Sequence, residues 1–90
     1  MHLGSEYRPI YISSSNLDGY VATCEFVAGE SVYFDIICAL GSHLEVSVTG
    51  AIVTMDGEAL PDAMPYGYST ICVTAIEEGT FEIVFAYTEA

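Results

Sequence analysis

Apolar and polar residues alternate along most of this 90-residue chain. The clearest run is Thr80-Phe81-Glu82-Ile83-Val84-Phe85-Ala86-Tyr87-Thr88, where Phe81, Ile83, Phe85 and Tyr87 share one face. A period of two sends successive side chains to opposite sides of a strand, so this is the signature of a sheet with one face buried. No stretch of eleven or more residues shows the three-to-four spacing of an amphipathic helix, and negligible helix is expected. Seven strands are predicted, at about residues 8–13, 20–27, 30–39, 43–49, 51–55, 68–75 and 80–88. Turn chemistry separates them: Ser13 to Asn16, Asp18-Gly19, Ala28-Gly29, Gly41-Ser42, Asp56-Gly57 and Glu78-Gly79 tolerate positive φ or bond back to the backbone. Asp56-Gly57 is the clearest hairpin signal. Residues 61–67 hold two prolines and cannot continue a ladder, so they form the longest irregular connection.

Ninety residues support one core, so residues 1–90 are expected to be a single β-sandwich domain with residues 1–7 as a flexible N-terminus. Seven tyrosines and four phenylalanines within a 52% hydrophobic chain supply that core and exclude disorder by composition. Charge then narrows the partners. Thirteen acidic residues face a single base, Arg8, for a formal net charge of -12. Phosphate recognition needs Lys and Arg, so direct binding to nucleic acid or to anionic membrane surfaces is excluded, and a protein partner is expected. The N-terminus lacks the basic and apolar segments of a signal peptide, and no apolar run is long enough to span a bilayer. The expectation is a soluble protein that carries no export signal of its own. Cys24, Cys38 and Cys72 are odd in number and show no CxxC spacing, which predicts free thiols.

Two segments carry more than strand pattern. Gly29-Glu30-Ser31-Val32-Tyr33-Phe34-Asp35-Ile36 and Glu77-Glu78-Gly79-Thr80-Phe81-Glu82-Ile83 resemble the B strand and the E-to-F corner of immunoglobulin-like domains. Ile36 and Ile83 stand where that family often has its bridging cysteines, and Leu44 to Val48 lacks its core tryptophan. The likeness is therefore to disulfide-free members of bacterial surface proteins and phage particles, over residues 29–88. It implies an all-β, Ig-like antiparallel β-sandwich of about seven strands. It also implies that residues 80–88 are the F strand, with no G strand after them. That leaves an edge to be covered either by residues 8–13 or by a strand from a neighbouring chain.

Candidate chemistry is sparse. His43 lies beside Ser42 on a turn, where neighbours in sequence do not face one another as base and nucleophile do. Alternation turns Cys24 and Cys38 inward, as small core residues with raised thiol pKa, and Cys72 outward. Carboxylates sit singly at outward strand positions (Glu25, Asp35, Glu45, Glu82) or at turns, without the D-x-[DN]-x-[DN]-G loop of a calcium site. No catalytic residue, metal ligand or cofactor is predicted. Contact surface is predicted instead at Glu82, Val84 and Ala86 on the last strand, and at Met64, Tyr66 and Tyr68 in and after the proline loop. The competing reading makes that loop a lid over the end of the core. Two functions are compatible with these features. One is a non-enzymatic accessory or decoration module of a larger assembly such as a phage virion, touching a capsid or tail subunit or itself through an open strand edge. The other is an acidic nucleic-acid mimic that inhibits a host defence nuclease. A mimic needs its acids along one face, whereas alternation is expected to spread Glu25, Asp35, Glu45 and Glu82 over both sheets.

Overall fold

The computed structural model describes residues 9–89. The expected flexible segment 1–7 and the sole base, Arg8, lie outside the described residues. Seven strands and one helical turn follow in the order β1 (Ile10–Ile12), α1 (Ser14–Leu17), β2 (Val21–Phe26), β3 (Ser31–Cys38), β4 (His43–Ser47), β5 (Ala51–Met55), β6 (Gly67–Ala75) and β7 (Gly79–Thr88). They form two packed sheets, β1-β3-β6-β5 and β2-β7-β4. All pairings are antiparallel except β1 with β3, which is parallel. None of the helical structure among the described residues is long and apolar enough to cross a membrane.

Alternation produces the core directly. Phe34, Ile36 and Cys38 from β3, Ile71 and Val73 from β6, and Phe81, Ile83, Phe85 and Tyr87 from β7 are buried between the sheets. Phe34 meets Phe85 edge to face, with ring centroids 5.0 Å apart, so the two sheets lock at one aromatic pair. Burying each ring contributes about 2–3 kcal/mol through area alone. Leu17, fully buried, anchors the single turn α1 beneath the end of the sandwich.

The chain changes sheets repeatedly, and glycine makes one such crossing possible. Gly50 links β4 to β5 at φ +86, and a Cβ there would lie 2.7 Å from the Phe81 ring. Its carbonyl also accepts the Ile76 amide at 2.9 Å. The positive φ and the missing room for a Cβ, not the backbone bond, require glycine here.

Two expectations need correction. The edge beside residues 80–88 is not open: β7 is the central strand of its sheet, flanked by β2 and β4. Cover comes from within, but from β2 and not from residues 8–13, whose Ile10–Ile12 portion pairs with β3 in the other sheet. The reason lies in α1, which carries the chain from one sheet edge across to the other. Asp56-Gly57 does make a two-residue turn with both φ values positive, at 52 and 85. Met55 and Glu58 exchange both backbone hydrogen bonds across it, at 2.7 and 3.0 Å. The returning chain stops after that one bridge, because Pro61 and Pro65 cannot sustain a ladder, and β5 pairs with β6 instead.

Candidate interaction surface

The outward residues of β7 form a strip across the three-stranded sheet. Glu82, Val84 and Ala86 are all exposed there, alternating with the buried Ile83 and Phe85. Register adds neighbours from both flanking strands: Val21 of β2 lies opposite Val84, Thr23 opposite Glu82, and Glu45 of β4 opposite Ala86. Val21 and Val84 are 48% and 37% exposed and sit side by side, which makes a small apolar centre bordered by carboxylates. Val21 escaped sequence reasoning because its sheet partner was not readable from the chain.

The loop residues do not join this strip. Met64 is 1% exposed and plugs the end of the core, so its side chain offers nothing to a partner. Backbone bonds hold it there: the Gly41 amide donates to the Met64 carbonyl and the Met64 amide to the Ser42 carbonyl, both at 2.8 Å. Ser42, itself buried, donates its hydroxyl to the Ala39 carbonyl at 2.7 Å. An unbranched thioether suits an irregular gap of this kind. Tyr66 and Tyr68, in contrast, are 78% and 72% exposed. Tyr68 lies on the outer face of the four-stranded sheet, opposite Ile37 of β3. The six predicted contact residues are therefore divided between a buried plug, a loop tip and two opposite faces of the molecule.

Reactive groups stay apart as well. His43 is exposed, with Nδ1 3.2 Å from the Asp62 carbonyl and Nε2 3.8 Å from Glu45. Ser42 points away from it into the turn. The three cysteines are free. Burial pushes the Cys24 thiol pKa up, and it pushes Cys38 up too, against a hydrogen bond from Ser42 that lowers it. A buried thiol with a raised pKa is a poor nucleophile. Cys72 is half-buried on the outer face of the four-stranded sheet, 3.5 Å from the Thr74 hydroxyl. Among the described residues, no three His, Cys, Asp or Glu side chains gather as metal ligands.

The four outward carboxylates do fall on both sheets, as expected, but unevenly. Glu25, Glu45 and Glu82 all project from the three-stranded sheet, while Asp35 alone projects from the outer face of the four-stranded sheet. Asp35 accepts the Thr70 hydroxyl at 2.7 Å. Asp18 is put to structural use, since its Oδ1 accepts the Tyr87 amide at 3.1 Å. Sequence reasoning also passed over Tyr11 and Tyr20, which stand near Tyr68 around α1; Tyr11 was legible as the outward aromatic of the first strand. No protein-family model, curated protein or solved structure matches this chain.

Proposed function

We propose that the chain is a non-enzymatic binding module of immunoglobulin-like type, serving as a small accessory or decoration protein of a larger assembly such as a phage virion. The observation that carries this reading is the exposed Val21–Val84 pair, set among Glu82, Ala86 and Glu45 on a rigid sheet. An apolar centre with a polar rim is the usual anatomy of a protein contact. Strand order supports the immunoglobulin-like part. If β3 to β7 are taken as strands B to F, the pairings β3-β6-β5 and β4-β7 correspond to B-E-D and C-F. β2 then stands in the place of G, although it precedes the other strands, and β1 stands in the place of A but runs parallel to its neighbour. A photo-crosslinking residue at position 84 tests the function. Cross-links to one capsid or tail subunit in assembled particles are expected, and a chain that fails to co-sediment with particles would overturn the reading.

A second reading gains from the carboxylates. Glu25 and Glu82 occupy successive outward rows of the three-stranded sheet, roughly 7 Å apart along the strand, with Glu45 two rows further on. Such a row suits a mimic of nucleic-acid phosphates that occupies a cationic nuclease site. Inhibition of a nuclease that disappears between 50 mM and 500 mM salt would favour this reading over the first.

A further inference from the structure

A cleft of about 350 Å³ opens where α1 meets the four-stranded sheet. Tyr11, Tyr20, Tyr68 and Ile37 form its walls, and Ser13 and Asn16 close one end. Each wall is placed by the fold. Tyr68 and Ile37 are register partners across β6 and β3, and Tyr11 projects from β1 opposite Asp35. Tyr20 is steadied by an edge-to-face contact with Phe85 at 5.8 Å. Asn16 is steadied by its side-chain amide, which donates to the Ser13 hydroxyl at 3.2 Å. Tyr11 and Tyr68, on the strands that flank β3, are 71% and 72% exposed, a large aromatic area to leave in water. None of the three tyrosine hydroxyls has a hydrogen-bond partner among the described residues.

This lining has a defined chemistry. Among the described residues it presents flat ring faces, hydroxyl and amide groups able to donate, and no charged side chain. A proline-rich segment in the polyproline II conformation needs that combination. Its pyrrolidine rings lie against aromatic faces, its carbonyls require donors, and its prolines bring no N–H that would need an acceptor. The ligand is also rigid before it binds, so a shallow cleft loses little affinity to ordering. Charge selects further. Asp18 stands two residues before Tyr20, and the chain carries a net charge of -12. A basic residue flanking the prolines would be drawn to this surface. A neutral sugar could use the rings but would gain nothing from the surrounding negative potential. We propose that this cleft docks a proline-rich segment of a protein partner that carries an Arg or Lys beside its prolines. The proposal does not depend on whether that partner belongs to a virion.

The test is a titration of the ¹⁵N-labelled full chain with decaproline, with an octaproline bearing Arg at both ends, and with cellotetraose. Saturable amide shifts confined to residues 11–20, 37 and 68 are expected with both peptides. The Arg-flanked peptide should bind at least roughly threefold more tightly at low salt, with the two converging at 1 M salt. Tyr11→Ala and Tyr68→Ala should each weaken binding by about tenfold or more, while Tyr66→Ala, exposed outside the cleft, leaves it unchanged. Should either alanine variant lose the dispersed spectrum of the folded chain, Tyr68→Phe removes only the hydroxyl and should still weaken binding measurably. The proposal is overturned by unsaturable or absent shifts with both peptides, by shifts centred elsewhere, or by equal loss in Tyr66→Ala. Equal affinity of the two peptides at low salt, or binding of cellotetraose in their place, also overturns it.

Discussion

The two outer faces of this molecule are built by the same alternation and differ in what they present. The three-stranded sheet shows Glu25, Glu45 and Glu82 around the Val21–Val84 pair, whereas the four-stranded sheet shows tyrosines, threonines and one aspartate that is tied to Thr70. Alternation decides only whether a side chain points in or out. Which face an outward residue joins is decided by the crossings between sheets, and these depend on Leu17, Gly50 and Met64. The contrast is therefore a product of topology, and it can be attacked at the core that joins the sheets, at a crossing, or on each face.

Removing the joint should have the largest effect. Phe34 and Phe85 come from opposite sheets, and Phe34→Ala would leave a cavity in a fully buried position. A loss of about 4 kcal/mol in chemical denaturation is expected. Gly50→Ala comes next. It forces a left-handed backbone on alanine and drives a methyl into Phe81, for a loss of about 2–3 kcal/mol. If Gly50→Ala folds with unchanged stability, the crossing is not the constraint described above.

Asp18→Ala is expected to cost about 1 kcal/mol by freeing the Tyr87 amide, and Asp18→Asn, which keeps an acceptor oxygen, should cost less. The thiols give a pH signature. Cys24 and Cys38 have folded pKa values raised by burial, so their contribution is complete below the unfolded thiol pKa and is lost as pH rises through the folded values. Denaturation midpoints should therefore decline above about pH 8.5, and a Cys24→Ala, Cys38→Ala double variant should decline less steeply. The smallest effect belongs to the acidic face. Replacing Glu25, Glu45 and Glu82 with Gln should raise the melting temperature slightly at 20 mM salt and hardly at all at 1 M salt, because exposed charges are then screened. Among the described residues the four-stranded face has no comparable set, and Asp35→Asn should show little salt dependence.

Much of this fold was legible because its information is local. The in-and-out pattern of residues 80–88, the turn at Asp56-Gly57 and the inward placement of Cys38 all follow from near neighbours. Strand partnership is not local. Nothing in residues 21–26 says that they lie beside β7, so the strand that fills the apparent gap was assigned to the wrong segment, and three carboxylates were not recognised as sharing a face. The contact residues suffered likewise. Met64 and Tyr66 stand two apart in one loop, yet one is a core plug and the other is solvent-exposed, a difference set by the backbone pairing of Met64 with the turn at residues 41–42. Tyr11, Tyr20 and Tyr68 are separated by up to 57 positions and meet only after the sheets have formed.

The central place of β7 bears on how the protein is made. During translation its partners β2 and β4 leave the ribosome first, and neither has a hydrogen-bonded neighbour in its own sheet until β7 emerges. The nascent chain must therefore hold two half-finished edges and an uncovered layer of Phe34, Ile36 and Ile71 while it waits, a period in which chaperones or premature self-pairing would compete for it.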